Sequence, residues 1–412
     1  MTSKARFAVY FFCCLLVIAA ALAVVHNQNT HKNQAETENN QQAGQGQKQI
    51  IDDAYRLRAE QIAASMDLNT LAAQVLLASV EGRDSLHETT RAFLLQVPPG
   101  GIILYGYNMS STLELTRNYI KELTLCIADV SVPPFIASDQ EGGRVLRFQE
   151  KAALPPPLSY WEKLPEADRS FWQINFRGGE FLAAMEGIFL LIENDAAAAG
   201  RELRQSGITL NLAPVTETLT ARNRNVLRDR SYGPNPAFVA GAASAFVRGM
   251  QGGGVAAALK HFPGNSADDP HKSKAVLNVS NRELEKLMGT FAETIRRENP
   301  AAVMLSHVII PQWDTKPCSL SPHAVQQLRD MGFMGIITAD DYTMAAVDVP
   351  VEVCAVEALA AGVDLIMVWP RDLVKTHQAI MEAINTGHLS ESKVREAVGR
   401  VVYQKIRFEL IR

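Results

Sequence analysis

The stretch Gly335-Ile-Ile-Thr-Ala-Asp-Asp-Tyr-Thr-Met344 is an apolar run that ends in two acidic residues. Such a run predicts a buried strand whose end delivers the Asp340 carboxylate. In a parallel α/β barrel the chemistry lies at that end of the strands. Two upstream stretches share this form, because each is apolar and stops at charged and glycine residues: Ile136-Ala-Ser-Asp-Gln-Glu-Gly-Gly-Arg-Val-Leu-Arg-Phe148 and Val255-Ala-Ala-Ala-Leu-Lys-His-Phe-Pro-Gly264.

Seven short apolar runs predict strands that are covered on both faces. Segments with helical spacing, such as Asn281 to Glu298, separate them. This alternation predicts a single (β/α)8 barrel of the TIM type, which needs eight strands. The eighth strand is not placed. Asn69 to Glu81 predicts an entry helix before these strands. The seven are Gly101 to Tyr105, Pro134 to Ser138, Thr209 to Ala213, Val255 to Lys260, Ala302 to Ser306, Gly335 to Ala339 and Val363 to Val368.

Residues 1–25 predict an export segment. Lys4 and Arg6 precede an uncharged apolar run from Phe7 to Val25, and a polar stretch follows it. Ala21-Leu-Ala23 suits a signal peptidase, but the run is also long enough to span a bilayer, so a cleaved signal peptide and a retained anchor both stay open. Because the basic residues come first, either option predicts a body outside the cytoplasm, soluble in the periplasm or anchored to the inner membrane.

Residues 26–49 predict a flexible linker, because they are rich in Asn, Gln, Thr, Lys and Glu and nearly lack large apolar side chains. Folding is expected to begin near Ile50, so residues 50–412 would form the barrel domain. A chain of 412 residues with 47% hydrophobic content fits one large α/β domain. Its formal net charge of −4 gives no electrostatic case for nucleic acid.

The cysteines indicate neither a disulfide framework nor a zinc site. Cys13 and Cys14 lie in the middle of the apolar run, where they suit small apolar side chains. Cys126, Cys318 and Cys354 are odd in number and widely separated, so they are expected to be buried packing residues. No Cys and His spacing indicates zinc, and no metal, organic cofactor or protein partner is implied.

In this order, three segments resemble the family 3 glycoside hydrolases, specifically the bacterial β-N-acetylglucosaminidases of the NagZ type. They are Asp139-Gln-Glu-Gly-Gly-Arg-Val-Leu-Arg147, Lys260-His-Phe-Pro-Gly264 and Thr338-Ala-Asp-Asp341. The resemblance covers roughly residues 66 to 408. Weaker matches are Asn211-Leu-Ala-Pro214, Asp229-Arg-Ser-Tyr-Gly233, Ser306-His-Val308 and Ala358-Leu-Ala-Ala-Gly-Val-Asp364.

Two parts of the chain differ from the pattern of this family. Residues 170 to 200 are longer than the family's usual connection between strands. Within them, Phe181 to Leu191 predicts an extra packed helix that is too short to span a membrane. A surface for a membrane or a partner is the second interpretation of that helix. After a last helix around Glu391 to Phe408, no room is expected for the second domain that many family members carry.

The resemblance implies that Asp340 is the catalytic nucleophile, because retaining hydrolysis needs a carboxylate below the anomeric carbon. A helix N-cap is the alternative role for an aspartate here, and Asp341 suits it better, before a helix over Tyr342 to Ala346. The implied proton donor is His271, paired with Asp269. An imidazole can exchange a proton near neutral pH, while the carboxylate orients the ring.

The loop that carries Asp269 and His271 departs from the family pattern. Asn265-Ser266 stands where His-Gly is usual, and the loop is about two residues shorter. Pro270 lies between the two members of the pair and restricts the backbone. A solvated polar loop is the alternative interpretation of this pair, because His and Asp are common on loops.

The resemblance places Asp139 and Arg147 at sugar hydroxyls, Lys260 and His261 in the sugar pocket, and Arg230 beside them. Fixed donors and acceptors of this kind discriminate sugars, because they are left unsatisfied by the wrong one.

Other residues near these motifs have structural interpretations. Glu141 and Arg144 would suit an ion pair within a loop, and Gly142 and Gly143 are expected to serve backbone geometry. His307 suits either a pocket wall or a hydrogen-bonded core histidine. Glu217 stands where the family often has aspartate.

Together these features predict a retaining exo-β-N-acetylglucosaminidase that removes terminal β-linked N-acetylglucosamine from cell-wall muropeptides or other amino-sugar glycans. One alternative is a membrane-anchored glycan-binding barrel with lost or weak catalysis, which the altered loop favours and the intact nucleophile opposes. The other is a β-glucosidase type of family member, whose proton donor often comes from the second domain.

Overall fold

A computed structural model describes residues 49–128, 130–148, 152–166, 169, 179–270 and 272–411. The predicted anchor and almost all of the predicted linker, with Cys13 and Cys14, lie outside the described residues. The described chain falls into two units that divide after Leu57. Residues 49–57 of the first unit are helical, as are residues 58–65 of the second. Among the described residues, no helix has both the length and the apolar character needed to cross a membrane.

Eight parallel strands form the main sheet of the second unit. The strands are β1 (Leu76–Ser79), β2 (Gly101–Leu104), β3 (Phe135–Ser138), β4 (Leu210–Asn211), β5 (Ala256–Phe262), β7 (Ala302–Leu305), β9 (Ile336–Ala339) and β10 (Ile366–Val368), while β6 (Ala275–Val276) and β8 (Val308–Ile309) form a separate parallel pair. In the order β10-β1-β2-β3-β4-β5-β7-β9 each strand pairs with its neighbour, and a parallel bridge between Thr338 and Leu365 brings the two outer strands together. This arrangement confirms the predicted α/β barrel.

Helices cover the barrel and connect its strands. Side-chain caps start three of them, because Asp67, Asn235 and Ser280 each accept a hydrogen bond from a backbone N–H in the first turn. The helices are α1 (Leu68–Gln74), α2 (Glu88–Gln96), α3 (Leu113–Ala128), α4 (Pro157–Glu162), α5 (Gly179–Gln205), α6 (Arg224–Leu227), α7 (Pro236–Gly252), α8 (Asn281–Glu298), α9 (Pro322–Asp330), α10 (Val351–Ala361), α11 (Pro370–Asn385) and α12 (Glu391–Arg407).

The missing eighth strand is β1, and the predicted helix over Asn69 to Glu81 is wrong in its second half. The chain leaves α1 at Gln74 and enters β1, which pairs with β10 on one side and β2 on the other. No glycine or proline marks this change in the sequence. The pattern therefore continues a helix, whereas the barrel requires a strand here to fill the gap between β10 and β2.

The barrel interior is filled by apolar side chains, and α12 closes one end of it. Val401 and Phe408 belong to the same buried cluster as Leu77, Phe135 and Met304. Phe135 begins β3, so α12 covers the amino ends of the strands. The carboxyl ends remain for the chemistry, as in other barrels of this type.

The predicted extra helix over Phe181 to Leu191 is part of a longer one. Helix α5 runs without interruption for 27 residues. The Phe189 ring packs on Phe238 of α7 with 5.3 Å between ring centroids, while Leu190 remains exposed. The packed interpretation is therefore confirmed for this face, and a role of the exposed face in membrane or partner contact stays a prediction.

Three cysteines in the described chain, Cys126, Cys318 and Cys354, are buried and form no disulfide. This confirms their prediction as packing residues.

Candidate active site

Asp340 is the first residue after β9, at the carboxyl edge of the barrel. Its Oδ1 accepts a hydrogen bond of 2.9 Å from the Asp341 amide. Burial opposes a charge on Asp340, but its interactions with His261, His307, the Asp341 amide and Lys260 outweigh burial and hold its pKa below the usual value. Asp340 is therefore an anion at neutral pH, and it is still partly exposed.

Asp341 caps a turn, so the prediction of a helix over Tyr342 to Ala346 is wrong. Its Oδ1 accepts a hydrogen bond of 2.8 Å from the Thr343 amide, and the residues that follow form turns. The next helix, α10, begins only after Pro350. An aspartate whose side chain binds the amide two residues later suits such a turn as well as a helix start.

Lys260 lies near the end of β5 and joins two carboxylates. Its Nζ is 2.7 Å from Asp139 Oδ1 and 2.6 Å from Glu141 Oε1. Arg230 completes the cluster with two parallel hydrogen bonds to Glu141, both 2.7 Å. Burial would raise the pKa of Glu141, but Lys260 and Arg230 hold it far below its usual range. The cluster thus presents fixed charges of both signs at the barrel rim.

The predicted loop ion pair between Glu141 and Arg144 is wrong. Glu141 is buried and binds Arg230, whereas Arg144 is exposed and pairs with Asp229. Sequence proximity favoured the local pair, but the turn between Glu141 and Arg144 points the two side chains to different partners.

Gly142 and Gly143 make this turn possible, which confirms their predicted backbone role. Both have positive φ angles, +112° and +58°. A Cβ on Gly142 would lie 2.3 Å from the Pro155 carbonyl oxygen, so no other residue fits there without a shift.

Arg147 reaches the cluster from the same loop. Its guanidinium Nη2 is 3.7 Å from Asp139 Oδ2. The buried side chain of Gln140 shapes the loop, because it accepts hydrogen bonds from the Arg147 and Phe148 amides and donates to the Phe148 and Ala152 carbonyls. The structure therefore brings Asp139, Arg147 and Lys260 together as the resemblance implied.

His261 is held by Glu217, which follows β4. The His261 Nδ1 is 2.7 Å from Glu217 Oε1. Asn265 adds two more hydrogen bonds to Glu217, from its amide at 2.6 Å and from its side chain at 2.8 Å. The residue that departs from the family pattern in the loop thus supports the orientation of a predicted sugar-pocket residue.

The loop with the predicted acid/base pair lies beside the loop with Asp340. The Pro270 carbonyl accepts a hydrogen bond of 2.9 Å from the Ala346 amide. Asp269 is partly buried, and its Oδ2 lies 3.5 Å from the exposed Lys272 ammonium. His271 lies outside the described residues. The structure therefore places Pro270, next to Asp269, against the loop that follows Asp340.

His307 is a buried, hydrogen-bonded histidine, the second of its two interpretations. Its Nδ1 is 2.7 Å from Ser319 Oγ, and its Nε2 is 3.0 Å from the Asp341 carbonyl oxygen. Burial lowers its pKa despite the nearby charges of Asp340 and Asp341. Because a carbonyl only accepts, the neutral ring carries its proton on Nε2 and donates it to Asp341.

Two aromatic residues at strand ends belong to the site and were missed by the sequence reasoning. Tyr105 follows β2 and Trp369 follows β10, and their rings are stacked with 5.4 Å between centroids and 7° between planes. Burial, followed by the charges of Asp139 and Asp341, raises the pKa of Tyr105. No motif marks these residues, but their position directly after a strand is the same signal that found Asp340.

The arrangement combines an anionic carboxylate with a rim of fixed charges, which suits displacement at the anomeric carbon of a sugar whose other carbons bear hydroxyl groups. In the described part of the chain, no group of three His, Cys, Asp or Glu side chains is placed to hold a metal ion.

Comparison with known proteins matches most of the chain to one family. Residues 68–403 match the family described as "Glycosyl hydrolase family 3 N terminal domain". A β-hexosaminidase of Stenotrophomonas maltophilia (strain R551-3) is 31% identical over 339 residues, 79% of this chain and 92% of the relative. A β-hexosaminidase of Methylococcus capsulatus is 34% identical over 316 residues, 74% of this chain and 85% of the relative.

A solved structure shows the same fold. The family 3 β-N-acetylglucosaminidase from Paenibacillus sp. str. FPU-7 superposes with a TM-score of 0.75 and 27% identity, covering 84% of this chain and 63% of that longer chain. The resemblance predicted from the sequence motifs is thereby confirmed. The chain belongs to glycosyl hydrolase family 3.

Proposed function

We propose that this protein is a retaining exo-β-N-acetylhexosaminidase that hydrolyses terminal β-linked N-acetylglucosamine through a covalent glycosyl-enzyme on Asp340. The observation that carries the proposal is the anionic, partly exposed Asp340 carboxylate at the end of β9, with one oxygen held by the Asp341 amide. The names of the relatives support the sugar specificity, since they are β-hexosaminidases and a β-N-acetylglucosaminidase.

In the first step, Asp340 Oδ2 attacks the anomeric carbon while the bond to the leaving oxygen breaks. A general acid gives that oxygen a proton, so the aglycone leaves as a neutral alcohol. In the second step, the same group, now a base, takes a proton from water. The resulting hydroxide oxygen attacks the anomeric carbon and releases Asp340 as a carboxylate.

Sugar binding is assigned to Asp139, Arg147, Lys260 and His261, with Arg230 acting beside them. Asp139 offers acceptor oxygens, while Arg147 and Lys260 offer donors on the same carboxylate. Glu217 orients His261, as the 2.7 Å contact indicates. Glu141 balances the charges of Lys260 and Arg230, which lets two cations remain side by side in a largely buried rim.

The acid/base role is assigned to His271, with Asp269 as its partner, and the contact between Pro270 and Ala346 supports it. We expect His271→Ala to slow substrates with poor leaving groups about 10²-fold more than aryl glycosides with good ones, because only the former need a proton as the bond breaks. Steady-state rates on an alkyl and a nitrophenyl N-acetylglucosaminide measure the difference. Equal losses on both substrates would place the acid elsewhere.

The natural substrates we propose are muropeptide fragments of the cell wall or other amino-sugar glycans, met outside the cytoplasm. This location follows from Lys4 and Arg6 before the apolar run Phe7 to Val25. We expect protease added to intact spheroplasts to digest residues 50–412, with a cytoplasmic marker protein left intact as control. Protection of the body until the membrane is lysed would contradict the export of this chain.

A panel of nitrophenyl β-glycosides tests the function as a whole. The full chain is expected to hydrolyse the N-acetylglucosaminide at least about tenfold faster, in kcat/KM, than the glucoside, because the site belongs to a family member whose relatives act on the amino sugar. Preference for the glucoside would support the β-glucosidase alternative. Binding of N-acetylglucosamine without turnover of any glycoside would support a glycan-binding barrel.

A further inference from the structure

Trp369 lies where it can influence the proposed nucleophile, Asp340, through Asp341. It is the N-cap residue of α11, directly after β10. Its indole Nε1 donates a hydrogen bond of 2.7 Å to Asp341 Oδ2. Stacking on Tyr105 fixes the plane of the indole ring, so the direction of the N–H is set by packing as well as by its acceptor.

Asp341 receives hydrogen bonds at three points from three parts of the chain. Trp369 binds Oδ2, the Thr343 amide binds Oδ1 at 2.8 Å, and His307 Nε2 binds the carbonyl oxygen at 3.0 Å. Ser319 in turn holds His307 through Nδ1. A side chain and a carbonyl fixed in this way leave the Asp341 backbone little freedom to rotate.

The Asp341 amide is the donor that holds the nucleophile, at 2.9 Å from Asp340 Oδ1. With Oδ1 engaged, the carboxylate plane is oriented and Oδ2 is the oxygen that can attack. A displacement needs the attacking atom aligned with the breaking bond, and small misplacements cost rate. The direction of the Asp341 N–H therefore affects the rate at which Asp340 attacks.

We propose that Trp369 is a positioning residue for the reaction: with His307 it locks Asp341, whose amide then aims Asp340 at the anomeric carbon. This inference rests on the proposed role of Asp340 as nucleophile. It assigns Trp369 a function in kcat, in contrast to an aromatic platform that would bind the sugar or its aglycone and act on KM.

The test compares Trp369→Phe with the wild-type full chain on 4-nitrophenyl N-acetyl-β-glucosaminide. Phenylalanine keeps the stacking on Tyr105 but removes the donor. We expect kcat and kcat/KM to fall together, about tenfold, because an interaction needed only in the transition state is lost. The acid limb of the pH profile of kcat/KM should also move to higher pH, since the amide of Asp341 helps to keep Asp340 ionised. Trp313→Phe is the matched control and should change neither the rate constants nor the acid limb of the pH profile.

A double-mutant cycle separates this role from others. Asp341→Ala removes the acceptor of the indole, so the double variant Asp341→Ala with Trp369→Phe should lose no more than Asp341→Ala alone. Independent, multiplying losses would overturn the proposal, as would a rise in KM at constant kcat. Trp369→Tyr, which keeps an aromatic ring with a donor, should recover part of the rate. If Trp369→Phe does not fold, Trp369→Leu, which also lacks a donor, takes its place in the cycle.

Labelling keeps this inference distinct from the proposed function. A 5-fluoro-N-acetylglucosaminyl fluoride forms its glycosyl-enzyme faster than water releases it, and peptide mass spectrometry then locates the label. A label on Asp340 of the wild type, with slower labelling of Trp369→Phe, supports both claims. A label on Asp340 with unchanged kinetics in Trp369→Phe overturns the positioning role alone. A label on another residue overturns the nucleophile and the inference with it.

Discussion

Asp340→Asn is expected to lower kcat at least about 10³-fold while the protein stays folded, because the amide has nearly the shape of the carboxylate but cannot form the covalent intermediate. The substitution leaves an acceptor oxygen for the Asp341 amide, so the surrounding hydrogen bonds can persist. Turnover of 4-nitrophenyl N-acetyl-β-glucosaminide and thermal unfolding measure the two outcomes. A residual rate within about tenfold of wild type, roughly 1.4 kcal/mol of barrier, would exclude Asp340 as nucleophile.

Asp341→Asn is the matched control for this variant. It removes a carboxylate one residue away and keeps one oxygen, which can accept from the Trp369 indole or from the Thr343 amide but not from both. Its loss of kcat should be at least about tenfold smaller than that of Asp340→Asn, since Asp341 acts on the reaction only through its backbone amide. The reverse order of damage would move the nucleophile to Asp341.

Chemical rescue adds a second control for the nucleophile. Asp340→Ala leaves room for a small anion, so added azide should restore turnover of an aryl substrate. Because azide would attack from the side that the carboxylate occupied, the product should be the α-glycosyl azide. A β-configured azide product would contradict attack from the position of Asp340.

The sequence predicts much of this fold because buried parallel strands are continuous apolar runs that end in polar residues. The seven runs identified in this way are all strands of the barrel, with shorter or shifted ends. The strand Leu76–Ser79 escapes the same reasoning, because it follows α1 with only Val75 between them. This segment forms a strand because the barrel needs one between β10 and β2, and the local sequence does not encode that requirement.

The candidate site, like the fold, could be predicted from the sequence only in part. Charged residues at strand ends, such as Asp139, Lys260 and Asp340, are visible in the sequence and converge in the structure because parallel strands share one edge. The pairing of charges is not visible, since it depends on loop geometry. Arg230 is 89 residues from Glu141 and still binds it, whereas Arg144 does not. Trp369 is hidden for the same reason, because its partner Asp341 belongs to another strand end.

Glu141→Gln is expected to destabilise the protein by about 3 to 5 kcal/mol at pH 7, because it leaves two largely buried cations with one counterion fewer. Glu141 is the carboxylate shared by Lys260 and Arg230, with contacts of 2.6 and 2.7 Å. Urea unfolding monitored by fluorescence gives the free energy of unfolding. The matched control is Asp229→Asn, which removes a carboxylate from the exposed Arg144 and should cost less than about 1 kcal/mol.

The pH dependence of the difference in unfolding free energy between wild type and Glu141→Gln tests whether this difference is electrostatic. The pKa of Glu141 is lowered in the folded protein, after Lys260 and Arg230 overcome the effect of burial. A group with a depressed folded pKa stabilises the fold fully above its unfolded pKa, about 4.3 for glutamate, and loses that stabilisation as the pH falls towards the folded value. The gap in unfolding free energy between wild type and Glu141→Gln should therefore be constant between about pH 7 and 5.5 and shrink below about pH 4. A gap that stays constant to about pH 3, or equal costs for Glu141→Gln and Asp229→Asn, would show that packing rather than the charge of Glu141 stabilises this rim.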